Sequence, residues 1–128
     1  MPRHNIKSGS PLEPIIGFSR AVRVGQHVAV GGMAPIGTDG KCAGVGNVEI
    51  QTRRCFEIIG KALRDTGSCF EDVTRTRILL TRISDWQTIA RIHGEIFGAI
   101  RPVTTVAQVT AFVDPDWLIE IEVDAIVA

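Results

Sequence analysis

From Trp117 to Val127 the chain alternates almost without error. Ile119, Ile121, Val123, Ala125 and Val127 fall on one side of an extended strand, and Leu118, Glu120, Glu122, Asp124 and Ile126 on the other. Successive side chains of a strand point to opposite faces, so one face here is wholly apolar and needs a cover. The other face carries three carboxylates in a row, which repel one another unless water, cations or donors lie opposite. Arg75 and Arg77 share one face of an upstream strand and are the candidate partners. The plain reading is a solvated charged face. Leu118 and Ile126 also lie on it, and a mixed face without helices in a small domain suits a subunit interface.

Upstream of that strand the segments follow in a simple order. Met1 to Ile16 holds three prolines and reads as an irregular arm. Ser19 to Val30 reads as two short strands around Gly25-Gln26, ended by Gly31-Gly32, and Pro35 to Gly46 as a glycine-rich loop. Asn47 is a good helix cap with Glu49 in the first turn, and Cys55, Ile58, Ile59, Ala62 and Leu63 recur along one helical face up to Gly67. Cys55 is thus a small core residue. Val73 to Leu80 is a strand. Ser84 or Asp85 caps a second helix whose stripe is Trp86, Ile89, His93, Ile96 and Phe97, closed by Gly98. Val103 to Val109 is a strand, Asp114-Pro115 a turn, and the alternating strand ends the chain. The order predicts one α+β domain over residues 1–128, a two-layer sandwich with a mixed sheet and both helices on one face.

Fourteen basic residues balance fourteen acidic ones, which weighs against duplex nucleic acid or an anionic membrane as a partner held by bulk charge. No apolar run approaches the length of a membrane span. Residues 1–10 are polar and basic with no apolar stretch behind them, unlike a secretory signal. Cys42, Cys55 and Cys69 are odd in number and lack a CxxC spacing, which argues against a disulfide framework or a zinc site and for reduced thiols in the cytoplasm. No metal is expected. At 128 residues the domain leaves much apolar surface uncovered, which favours oligomers.

Six segments in order resemble the RidA/YjgF family, formerly called endoribonuclease L-PSP. Gly17-Phe18-Ser19-Arg20-Ala21-Val22 resembles its opening G-P-Y-S-x-A, and Gly31-Gly32-Met33-Ala34-Pro35 its S-G-Q-I-P. Gln51-Thr52-Arg53-Arg54 resembles its Q-T-R helix start, and Asp72 to Leu80 its D-V-V-K-T-x-V-F-L strand. Pro102-Val103-Thr104-Thr105 stands where P-A-R-S occurs, and Glu120 to Ile126 resembles the closing E-I-E-A-I-A. The resemblance implies a chorismate-mutase-like, YjgF-like fold and a homotrimer with small-molecule clefts between subunits. It also implies cofactor-independent hydrolysis of reactive enamines and imines, with an arginine holding the substrate carboxylate and a glutamate directing water.

Several family positions differ. Thr104 replaces the signature arginine, Phe18 the cleft tyrosine, Gly31 a serine and Ala90 an asparagine. Alignment through Asp124-Ala125-Ile126 puts the glutamate at Glu122, which we take; alignment through the repeated Ile-Glu puts it at Glu120. The chain therefore resembles the arginine-lacking branch, with a cleft formed by Phe18, Gly31, Met33, Thr104, Thr105 and the catalytic candidate Glu122. Glu122 has an alternative role as an ion-pair partner of Arg75 or Arg77. Arg101 is a candidate replacement anchor, or simply an exposed loop arginine. His93 reads as a packed residue at the stripe's edge, and Trp86 and Trp117 as core or interface anchors. Three functions compete: a hydrolase or deaminase of an enamine, imine or related small metabolite; a non-catalytic metabolite-binding trimer; and an RNA-directed protein. The last is disfavoured by the charge balance and the lack of paired histidines or a basic stripe with aromatics.

Overall fold

A computed structural model describes residues 2–128; Met1, the first residue of the expected arm, lies outside the described residues. The elements run β1 (Arg3–Ile6), α1 (Glu13–Ile16), β2 (Ala21–Val24), β3 (His27–Met33), α2 (Val48–Asp65), β4 (Val73–Leu80), α3 (Trp86–Phe97), β5 (Val103–Gln108) and β6 (Ile119–Ile126). Six strands form one sheet in the order β1-β2-β3-β6-β4-β5. Only β4 and β5 are parallel, as the helical crossover between them allows. The architecture is the α+β sandwich expected from the element order.

The alternation of β6 sets the layers. Ile119, Ile121, Val123 and Ala125 are buried, on the side covered by Cys55, Ile59, Ala62 and Leu63 of α2 and Ile89, Ile92 and Phe97 of α3. On the other side, Glu120, Glu122 and Asp124 are half-buried and Ile126 is exposed.

Helix α2 begins as its sequence dictates. The Asn47 side chain accepts from the Ile50 N–H at 3.0 Å, satisfying one of the first-turn donors that lack a helical partner. At the other end Gly67 takes φ +82°, which lets the Ser68 N–H reach back to the Leu63 carbonyl at 2.8 Å. Arg23 of β2 donates to the Thr66 carbonyl at 2.7 Å, pinning a cation at the helix C-terminus. Gln51 is fully buried and acts as a cross-brace. Its amide donates to the carbonyls of Gly44 (3.2 Å) and Asp116 (3.0 Å) and accepts from the Leu118 N–H (2.8 Å). Two loops and the entry to β6 are thereby tied to one helix.

Four expectations are corrected. The arm is not irregular throughout: Arg3–Ile6 pairs antiparallel with β2, and Glu13–Ile16 forms one helical turn ended by Gly17 at φ +83°. The strand hides in sequence because it is a polar edge strand, exposed along most of its length, and its partner supplies backbone bonds without an apolar pattern. The turn is held by Glu13, which accepts from the Ser8 N–H at 2.7 Å. Gly31-Gly32 does not end β3, which continues to Met33 through a bulge. Val30 faces Val123 and Met33 faces Ile121, three steps against two, so one extra residue is inserted. In α3 the buried positions are Ile89, Ile92 and Phe97, whereas Trp86 is exposed; a short 3-10 turn, Ile83–Asp85, leads into the helix and leaves its first residue outside the layer. Asp85 occupies the cap position without making a cap bond, because its carboxylate accepts from Arg82 at 3.1 Å.

Candidate functional site

Strand register decides which carboxylate of β6 is free. Arg75 lies opposite Asp124, Arg77 opposite Glu122, and Leu79 opposite Glu120. The first two pairs are ionic: Arg75 and Asp124 approach to 3.8 Å, and Arg77 donates directly to Glu122. Glu120 faces an apolar residue and has no ion-pair or hydrogen-bond partner among the described residues. It is half-buried, and desolvation raises its pKa above the usual glutamate value.

On its other side Glu120 meets the bulge. A Cβ at Gly32 would stand 3.0 Å from a Glu120 carboxylate oxygen, so the absence of a side chain at Gly32 is what accommodates the carboxylate. Gly31, the preceding residue, is exposed, and a Cβ there would meet only the Ser19 and Arg20 carbonyls at 3.8 and 4.0 Å. Cys55 lies beneath, its thiol donating to the Met33 carbonyl at 3.2 Å. Burial raises the Cys55 pKa far above the ordinary thiol value, so it is a neutral prop for the bulge and not a nucleophile. Arg20, beside this region in sequence, is half-buried, and desolvation lowers its pKa.

The residues expected to form one cleft fall into separate groups. Gly31 lies at the β3 bulge next to the Glu120 region, and Phe18 lies before β2 with its ring exposed. Met33 is buried as part of the core, on the helix-covered face of β3. Thr104 and Thr105 lie on the far edge strand, on opposite faces. Thr105 neighbours Arg77 on the open face, and Thr104 neighbours buried Thr76 on the helix side. Arg101 has φ +59°, uncommon for a residue with a side chain, and its guanidinium folds back onto the Gly98 carbonyl at 3.1 Å. That placement makes it a clasp on the end of α3. Glu122, taken from the sequence as the catalytic carboxylate, is engaged by Arg77 and lines a shallow concavity of about 190 Å³ with Arg75, Asp124 and Gly31.

Sequence reasoning missed Gly32 and Thr76. A glycine pair beside an alternating strand hints at the first. The second is marked only by its hydrogen bonds: Thr76 Oγ1 lies 2.9 Å from His93 Nε2 and 2.8 Å from Thr104 Oγ1. Among the described residues no cluster of metal-ligating side chains occurs, and no helix is long and apolar enough to cross a membrane.

The model of the family described as "Endoribonuclease L-PSP" matches residues 8–127. An uncharacterized protein of Streptomyces coelicolor is 38% identical over 120 residues, covering 94% of this chain and 89% of its own. The 3-aminoacrylate deaminase RutC of Acinetobacter baylyi is 31% identical over 121 residues, covering 94% and 95% respectively. A crystal structure of a Mycobacterium tuberculosis member of the YjgF/YER057c/UK114 family superposes with a TM-score of 0.89 at 41% identity, covering 98% of this chain and all of that one.

Proposed function

Because the chain belongs to the endoribonuclease L-PSP family, the RidA/YjgF proteins, we propose that it forms a cytoplasmic homotrimer whose inter-subunit clefts take up a small polar metabolite. In that cleft it hydrolyses an enamine, imine or related compound, with Glu120 directing the attacking water. One observation carries the reading: Glu120 alone among the β6 carboxylates lacks a cation, sits half-buried against Gly32 and has its pKa raised. A carboxylate of raised pKa is a better proton acceptor near neutrality. This favours Glu120 over Glu122, whose charge Arg77 already neutralises.

The chemistry asked of Glu120 is modest. Moving a proton from nitrogen to carbon turns an enamine into its imine; water adds to the C=N carbon as Glu120 takes one of the water's two protons. Glu120 returns that proton to nitrogen, giving an amino alcohol; the new hydroxyl then passes its own proton, again through Glu120, to nitrogen as the C–N bond breaks, and a carbonyl compound and ammonia leave. No redox partner is involved. The RutC relative is named for removing the amine of 3-aminoacrylate, which supports this reaction class. Thr104 at the position of the signature arginine supports the arginine-lacking branch, in which a carboxylate-bearing imine loses its two-pronged charged anchor. A trimer is supported by the half-buried open sheet face, by exposed Val103 and Val106 on β5, and by exposed Ile15 and Ile16. It also gives a reason for the scattered site, because the edge bearing Thr104 would complete the Glu120 region of a neighbour.

The test is ammonia release from 3-aminoacrylate and from imines generated in situ. Glu120→Gln should lose turnover while remaining trimeric, and Glu122→Gln should retain most of it. Thr104→Trp should also be inactive, by filling the cleft. Subunits of Glu120→Gln and Thr104→Trp mixed equally should regain about a quarter of wild-type activity, since one cleft in four then has both halves intact. Full turnover in Glu120→Gln sinks the mechanism, and failure to complement sinks the shared cleft. A wild-type protein that binds such compounds without turnover is the metabolite-binding trimer instead.

A further inference from the structure

The hydrogen bonds around Thr104 have a direction. Thr104 is exposed on β5, beside Thr76, which is fully buried. Their hydroxyl oxygens are 2.8 Å apart, and Thr76 Oγ1 is 2.9 Å from His93 Nε2. Thr104 Oγ1 also reaches the Pro102 carbonyl at 3.2 Å, which only a donated proton can satisfy. A hydroxyl has one proton. With Thr104's proton on Pro102, its oxygen accepts from Thr76. Thr76 has then used its own proton and accepts from His93, which carries a hydrogen on Nε2. The reverse order would send Thr104's proton to Thr76 and leave two oxygens, those of Thr104 and Pro102, facing each other without a hydrogen. Aromatic neighbours fix the imidazole in this orientation. Its ring centroid lies 4.7 Å from that of Phe97 and 6.3 Å, edge-on, from that of Phe56.

We propose that His93, acting through Thr76, holds Thr104 as a hydrogen-bond acceptor at the cleft, so that this position selects a ligand N–H or O–H donor and disfavours a carboxylate. The inference rests on the cleft reading above and deepens it. Where relatives with arginine present donors to an anion, this chain presents an oxygen lone pair, suited to an amine, an enamine N–H or a carboxamide. His93 and Thr76 are positioning residues, since neither is placed against the ligand.

Two measurements test it on the full chain. Long-range proton–nitrogen correlation NMR of histidine-labelled protein should find a hydrogen on Nε2 of His93; a neutral ring protonated on Nδ1 alone overturns the proposal. Calorimetry with a matched pair, 2-oxobutanoate and 2-oxobutanamide, should then show the amide bound about tenfold more tightly, the effect of one hydrogen bond gained against one lone-pair repulsion. Thr104→Arg should invert the preference. Thr76→Val should erase it, and Thr76→Ser, which keeps the hydroxyl, should retain it. Tighter binding of the carboxylate by wild type, or an unchanged ratio in Thr76→Val, overturns the proposal. If the carboxylate wins while Glu120→Gln still abolishes turnover, the cleft reading survives and this inference falls. If neither compound binds, both fall.

Discussion

Replacing Gln51 by leucine changes side-chain volume little and removes the brace between α2, the loop at Gly44 and the entry to β6. Four hydrogen bonds go with it: to the Gly44 carbonyl, to the Asp116 carbonyl, a long one to the Cys42 sulfur, and one from the Leu118 N–H. The two carbonyls border solvent and each lose roughly the net value of one hydrogen bond, about 0.5–1.5 kcal/mol. Leu118 packs partly buried against the core, and leaving its N–H without an acceptor costs about 1–3 kcal/mol. The added apolar contact of leucine offsets part of this, so the destabilisation should be about 3 kcal/mol. Urea unfolding at fixed protomer concentration reads it directly. With an m-value of about 2 kcal/mol/M the midpoint should fall by about 1.5 M. A fall of less than about 0.5 M would mean that the loops hold themselves and that Gln51 merely fills space. Because Leu118 leads directly into Ile119 and Glu120, turnover should decline in Gln51→Leu even where the protein remains folded.

Three further outcomes follow from the same geometry. Glu120 has its pKa raised from 4.5 by desolvation, so the folded state holds its proton to higher pH than the unfolded chain, and folding loses stability as pH rises above the ordinary glutamate range. Glu120→Gln should therefore stabilise the protein at pH 7–8 and do nothing below about pH 4, read as paired urea midpoints; equal gains at both pH values would contradict the assigned cause. Gly32→Ala places a methyl 3.0 Å from the Glu120 carboxylate, whose flexible end must move aside; kcat should drop at least about tenfold with little change in thermal midpoint. Among the thiols, exposed Cys69 should react with a disulfide reagent at once, whereas Cys55, fully buried and with its pKa pushed up, should react only after unfolding; early labelling of Cys55 would mean that the bulge opens.

The layers of this fold are legible in sequence because they depend on local periodicity. The alternation of Ile119, Ile121, Val123 and Ala125, the stripe of α2 and the stop at Gly67 each need only a few neighbours to be read. The edge strand Arg3–Ile6 is not legible, since an exposed edge carries no apolar pattern. The choice between Glu120 and Glu122 is open in sequence for a different reason. It depends on the register between β4 and β6, which pairs residues far apart in the chain, and a slip of two residues, which keeps the faces, would put Glu120 opposite Arg77. Two arginines and three carboxylates can be assigned to one face from alternation alone; only the pairing tells that the third carboxylate faces Leu79. The bond from Thr76 to His93 is equally nonlocal, and no motif announces it.

The separation of the candidate residues is itself informative. Glu120 lies on the open face of β6, and Thr104 lies two strands away on β5, about 10 Å across the sheet and on the opposite face. No rotamer change closes that gap, because the sheet stands between them. A ligand of a few heavy atoms can touch only one of the two within a single chain. Yet each lies where a second copy can approach: the β3 bulge exposes Gly31 and Gly32, and β5 is an edge whose Val103, Thr104, Thr105 and Val106 are all exposed. An unpaired, partly apolar edge is a liability for a protein that remains alone. It becomes an asset when a rotation axis brings it beside the bulge of a neighbour, because the same contact then protects the edge and completes the site. Stability of the assembly and assembly of the chemistry would in that case be one event, and dissociation should cost both together.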